Sequence, residues 1–244
     1  MKFLPNILTL GNLTFGGVAC LLASRGGYES SVGLFILLAA FLDLLDGAVA
    51  RAVKADGELG KQLDSLADVV SFGVAPSILI FTMLEETLPP SLNALKYLAF
   101  LNAAGGAYRL ARFNIDTNQT KEFKGMPIPA NGMFWAALAL ATYEDRLFSM
   151  GGSFELPSYP VILALLAITS LIMISKVRMI AFKFSSSKWA DNKDRFTFII
   201  LMLPVILVSF LHYKSLFISI VIALLLYSIV SIVFHFIKNH EVQS

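Results

Sequence analysis

Long apolar runs broken by short polar or Gly/Pro-rich stretches repeat along the whole chain. Runs lie at about Ile7–Ala23, Ser31–Ala50, Leu63–Leu84, Leu92–Arg112, Asn131–Tyr143, Pro157–Ala181, Phe196–His212 and Ser215–Ile237. A helix needs about 20 apolar residues to cross the hydrocarbon of a bilayer, and most of these runs approach that length. The pattern predicts an all-α, polytopic integral membrane bundle of about eight transmembrane helices. The fifth run is short and weak, and reads either as extended through Glu144–Phe148 or as partly re-entrant. Breaks are marked by Arg25-Gly26-Gly27, Asp56-Gly57, Pro89-Pro90, Gly125-Met126-Pro127-Ile128-Pro129, Gly151-Gly152 and Ser185–Ser187. No internal repeat accompanies them.

Composition strengthens this reading. The chain is 57% hydrophobic and 15% charged, with a mean hydropathy of +0.73, whereas a soluble domain is nearer a quarter charged. The single cysteine, Cys20, falls in an apolar run and reads as a small core residue. The opening residues lead straight into a span, so no cleaved leader is expected. The net charge of +2 matters less than its placement. With the N-terminus inside, Lys2, the stretches Arg51–Lys61, Arg109–Lys124 and Lys176–Arg195, and Lys238 all lie on the cytoplasmic side. Only Arg25, Lys96, Arg146 and Lys214 are left outside. That bias predicts cytoplasmic N- and C-termini in the cell membrane, with membrane lipid as the surrounding partner and no role for nucleic acid.

Four aspartates stand out against this background. Asp43 and Asp46 are three residues apart near the end of the second run, and Asp64 and Asp68 are four apart at the start of the third. Each pair therefore shares one helix face, and a loop of about a dozen residues brings the two pairs together. An isolated carboxylate near the bilayer centre costs roughly 2.5–3.5 kcal/mol on insertion scales. Four converging carboxylates repel one another as well, so the arrangement calls for a strong positive partner. Two divalent cations meet that need and leave coordination positions open for phosphate oxygens. Gly47 and Gly60 leave room for a ligand to approach the backbone, and Arg51, one turn beyond Gly47, suits a phosphate. The plainer readings are salt bridges from Asp64 and Asp68 to Arg51, Lys54 and Lys61, or an ion pathway in a cation transporter.

The segment Asp43–Asp68 resembles the signature of the CDP-alcohol phosphotransferase family, D-x-x-D-G-x-x-A-R-x(8)-G-x-x-x-D-x-x-x-D, at every fixed position. The resemblance implies an integral membrane enzyme that moves a phosphatidyl group from CDP-diacylglycerol to an alcohol and releases CMP. It also implies that Asp43, Asp46, Asp64 and Asp68 hold two Mg2+ or Mn2+ ions and that Asp68 is the general base. By the same resemblance Gly47, Arg51 and Gly60 line the CDP site, joined by Asn6 and Thr9 from the shorter element Pro5-Asn6-Ile7-Leu8-Thr9. A homodimer is the expected assembly.

The acceptor is suggested by a later segment. Tyr108-Arg109-Leu110-Ala111-Arg112-Phe113-Asn114 and Gly125-Met126-Pro127-Ile128-Pro129-Ala130 resemble the phosphatidylserine synthase branch of the family. That resemblance implies L-serine as acceptor, with Arg109, Arg112 and Asn114 as its expected binding residues. Glycerol phosphate and inositol phosphate are anionic too, so the arginines alone do not separate the three. Residues 1–131 thus read as the catalytic core with its acceptor region, and residues 132–244 as additional transmembrane helices. Trp135 and Trp189 suit the membrane interface. Asn102, Gly105 and Gly106 suggest close helix packing, against a second protomer.

Overall fold

The computed structural model describes residues 3–26, 29–54, 57–116, 123–148, 154–179, 193–213 and 215–243. Helix α1 runs Leu4–Arg25, with Pro5 in its first turn, and α2 runs Glu29–Val53. The third run is one unbroken helical rod in three parts: α3 (Glu58–Asp68), a π-helical segment (Val69–Val74) and α4 (Ala75–Thr87). Pro90–Phe100 then forms a 3-10 helix that passes directly into α5, Leu101–Ile115. Further on come α6 (Ile128–Phe148), α7 (Tyr159–Ile174), α8 (Lys193–Tyr213) and α9 (Leu216–Gln243). A small antiparallel pair, β1 (Phe123–Lys124) and β2 (Arg178–Met179), joins the start of α6 to the chain after α7.

Among the described residues, four helices are long and apolar enough to cross a membrane: Leu4–Arg25, Ser31–Val53, Glu58–Thr87 and Leu216–Ile237. Ile128–Thr142, Tyr159–Ile174 and Met202–Tyr213 are shorter apolar helices. The fold is therefore all-α and rich in membrane-length segments, as the hydropathy pattern predicts. At 1.5 Å per residue the Glu58–Thr87 rod is about 45 Å long, against about 30 Å of hydrocarbon. The rod is therefore long enough to cross the apolar layer with residues to spare.

The weak fifth run is the innermost helix. Every side chain from Phe134 to Ala141 on α6 is buried, Trp135 completely. Its modest length and hydropathy follow from its surroundings, since it faces other helices rather than lipid. The interfacial role expected of Trp135 is thereby corrected, and Trp189 lies outside the described residues. Gly33 lets α2 close on α6, because a Cβ there would meet the Ala136 carbonyl at 2.9 Å.

The expected use of Asn102, Gly105 and Gly106 against a second protomer is also corrected. Gly106 packs on Ile128 and Gly105 on Met173 of the same chain. Asn102 donates to the Gly73 carbonyl at 3.2 Å and accepts from Asn131. The sixth run ends early, at Ile174 rather than Ala181, because α7 is capped. Arg112 donates through its two terminal nitrogens to the Ile174 and Ser175 carbonyls, both at 2.8 Å. Gly125, held at φ +76°, donates to Val177 at 2.8 Å and passes so close to Met173 that no side chain fits. Much of the basic stretch after Lys176, residues 180–192, lies outside the described residues.

Candidate active site

Three elements carry the acids and their closest supports: the first half of α1, the second half of α2, and α3. On α1 the buried positions Pro5, Thr9, Asn12, Gly16, Ala19 and Ala23 recur every three or four residues, which makes one stripe facing the protein. Thr9 on that stripe donates its hydroxyl to Asp46 Oδ2 at 2.5 Å, and Thr9 Oγ1 lies 3.0 Å from the Pro5 carbonyl oxygen. Farther along, Gly16 abuts Ser71, whose hydroxyl donates to the Asn12 carbonyl at 3.0 Å. Polar anchoring on α2 and on the third rod thus fixes α1 from both sides.

Asp43, Asp64 and Asp68 each present a carboxylate oxygen, and these oxygens lie within 4.8 Å of one another. Asp46 is engaged by Thr9 and sits at the edge of this trio, next to Asp43 and Asp64. Asp46 and Asp68 are each only 6% exposed, and Asp68 Oδ1 is buried with no hydrogen-bond partner. Hard carboxylate oxygens at this separation suit Mg2+ or Mn2+, which take oxygen ligands and retain positions for water or phosphate. The donor set and the orphaned Asp68 oxygen therefore fit the divalent cations that the aspartate spacing calls for. Among the described residues no lysine or arginine forms a salt bridge with the four aspartates. Asp68 is the last residue of α3 before the helix widens into the π segment, a distortion often found at functional sites.

Beside the acids lies a cavity of about 610 Å3, lined by Asn6, Thr9, Asp46, Gly47, Gly60 and Asp64, with Pro5, Ala50, Gly57, Glu58, Lys61 and Phe113. That volume is in the range of small-molecule sites. The expected CDP residues thus converge, with one qualification. Arg51 is exposed and lies against Gly47, its guanidinium 3.4 Å from where a Cβ would stand, but it does not line the cavity. Gly60 has a direct packing reason, because a Cβ there would approach Asn6 Oδ1 to 3.3 Å.

The residues expected to bind the acceptor separate into different places. Arg109 is 5% exposed, its Nε has no partner, and it interacts electrostatically with Asp68 and with Tyr227 of α9. Arg112 points to the end of α7, as described above. Asn114 donates its side-chain amide to the Ser65 hydroxyl at 2.8 Å, and its backbone carbonyl accepts from Lys61 at 3.3 Å. Of the three, Arg109 stands beside the acids.

Several site residues escaped the sequence reading. Lys61 was legible only as a loop cation, and Phe113 only as part of a motif. Tyr227 had no signal at all: it lies in an apolar run, and its hydrogen bond to Ser231 on the next turn is visible only in three dimensions.

Comparison with known proteins agrees with this geometry. Over 153 residues the chain is 39% identical to the CDP-diacylglycerol–serine O-phosphatidyltransferase of Bacillus subtilis (strain 168), covering 62% of this chain and 82% of that one. It is 30% identical over 237 residues to the enzyme of the same name from Helicobacter pylori (strain J99), covering 96% and 92%. The archaetidylserine synthase of Methanothermobacter thermautotrophicus (strain Delta H) is 36% identical over 147 residues, which is 59% of this chain and 60% of that one. Residues 2–181 match the CDP-alcohol phosphatidyltransferase family, so this chain, with its signature acids gathered beside a cavity, belongs to that family.

Proposed function

We propose that this chain transfers the phosphatidyl group of CDP-diacylglycerol to the hydroxyl of L-serine, giving phosphatidylserine and CMP. The observation that carries the reading is the convergence of Asp43, Asp64 and Asp68 beside the cavity, in a chain whose relative matched over 96% of its length is named a serine O-phosphatidyltransferase. In this reading Asn6, Thr9, Gly47 and Gly60 receive the nucleotide end of the donor, and Arg51 meets a phosphate at the cavity rim. A divalent pair held by Asp43, Asp46, Asp64 and Asp68 would supply positive charge to the pyrophosphate.

Asp68 takes the proton of the serine hydroxyl as its oxygen attacks phosphorus. The new O–P bond forms as the P–O bond to CMP breaks, and the departing electron pair stays on the CMP phosphate. Positioning and electrostatics are the main requirements of such a displacement. Arg109 holds the serine carboxylate, for which a guanidinium next to the base is suited. The charge bias supports a cytoplasmic site in an eight-span membrane protein; the homodimer rests on the family resemblance alone.

An acceptor panel tests the reading. Purified protein in detergent with CDP-diacylglycerol should release CMP with L-serine and not with glycerol 3-phosphate or inositol phosphate. CMP release driven by either phosphate instead would move the assignment to another branch. Divalent-ion uptake into vesicles with no CMP from any alcohol would favour a transporter.

A further inference from the structure

Asn12 is fully buried on the inward stripe of α1, and both its side-chain atoms, Oδ1 and Nδ2, lack any hydrogen-bond partner. Burying an amide unpaired is costly, because the hydrogen bonds it made to water are lost and not replaced. A structural role offers no return for that cost, and the level at which Asn12 sits gives it a chemical meaning. Thr9, one turn earlier, bonds Asp46. Because α2 runs antiparallel to α1, three residues deeper on α1 lies opposite three residues back on α2, at Asp43. The third rod runs parallel to α1: Asn6 meets Gly60 and Gly16 meets Ser71. Between those two contacts, Asn12 falls at the turn that carries Asp68. The Asp68 Oδ1 on that turn is likewise buried and unpartnered. Two facing elements therefore present orphaned polar atoms at one depth, a turn below the nucleotide cavity.

We infer that the Asn12 carboxamide contacts the acceptor alcohol, with Nδ2 donating to the hydroxyl oxygen whose proton is directed at Asp68. The geometry of attack accommodates both contacts. The hydroxyl hydrogen points to Asp68, one oxygen lone pair accepts from Nδ2, and the other is free to reach phosphorus. Asn12 Oδ1 then remains as an acceptor for a second donor on the same molecule, such as the ammonium group of an amino acid. This inference rests on the reading of Asp68 as the base and deepens it, by giving the acceptor a contact on α1.

The test is Asn12→Leu, close in volume, with Asn12→Ser as a second variant that keeps a donor. Removing an idle, unpaired buried amide leaves thermal stability unchanged or higher. The expected result is a thermal midpoint equal to or above the parent, CMP affinity within about two-fold, and turnover with serine reduced about 10- to 100-fold. Asn12→Ser should recover part of that turnover. Unchanged turnover in Asn12→Leu overturns the inference. So does a loss that merely follows weakened CMP binding, since the amide would then belong to the donor site. If Asn12→Leu does not fold, Asn12→Ser decides between the same outcomes. Failure of the underlying reading looks different, because Asp68→Asn would then retain turnover whatever Asn12 does.

Discussion

Thr9 and Asp68 show how single side chains divide the work of the site. Thr9 spends its hydroxyl on Asp46 Oδ2, and so orients a carboxylate that lines the cavity proposed to take the nucleotide. A hydrogen bond to a charged group contributes about 1.5–3 kcal/mol. Thr9→Val should therefore raise the KM for CDP-diacylglycerol by about 10-fold or more, with the serine KM unchanged. Steady-state kinetics against each substrate check this. Asp68 leaves one oxygen unpaired in a buried place, which suits a group that must accept a proton from a bound hydroxyl. Asp68→Asn keeps the shape and removes the proposed base. Turnover should fall by about 10^2- to 10^4-fold, while the thermal midpoint in detergent stays within a few degrees of the parent. Near-normal CMP release by this variant would remove Asp68 from the role.

Among elements, the third rod and α5 carry the most weight. The π segment sits between Asp68 and Pro76, and α1 presses against it where Gly16 meets Ser71. A Cβ at Gly16 would lie 2.7 Å from the Ser71 Cα, a backbone atom that moves only with the helix. Gly16→Val should therefore destabilise the protein by about 1–3 kcal/mol, read as a lowered thermal midpoint together with lost activity. On α5 the two arginines make opposite predictions. Arg112→Met removes the cap of α7 and should lower thermal stability while sparing the serine KM. Arg109→Gln should raise the serine KM and leave stability nearly unchanged.

This division marks how far the sequence was legible. The signature Asp43–Asp68 places its acids on two helix faces through local periodicity, and the structure gathers three of them as that spacing predicts. Arg109 and Arg112 look alike in sequence because both lie on one turn of one helix. Only the position of α7, which is set by long-range packing, separates them. The inner location of α6 was illegible for a related reason: hydropathy reports apolar character, not whether lipid or protein supplies the neighbours.

At the scale of the whole molecule, the acids, the cavity and the β1–β2 pair lie toward the same ends of the helices, and Lys96 with its partner Glu85 lies toward the other. Lys96 is buried there against Phe81, 4.9 Å from the ring centroid. The proposed orientation puts the first set in the cytoplasm. In a Cys20→Ser background, Glu58→Cys should react with a membrane-impermeant thiol reagent only in inverted vesicles, and Thr87→Cys only in intact cells. Residues beyond 131 also reach the site, through Tyr227 of α9 beside Arg109.

The proposed chemistry requires that aspartates from two helices form a divalent-cation centre serving phosphatidyl transfer. Counting Mn2+ bound to the purified protein in the presence of CDP-diacylglycerol, from the free-ion paramagnetic resonance signal, tests it most directly. The account predicts two ions per chain, with binding lost in Asp43→Asn and in Asp64→Asn. No saturable Mn2+ binding, or binding unaffected by both substitutions, would contradict it.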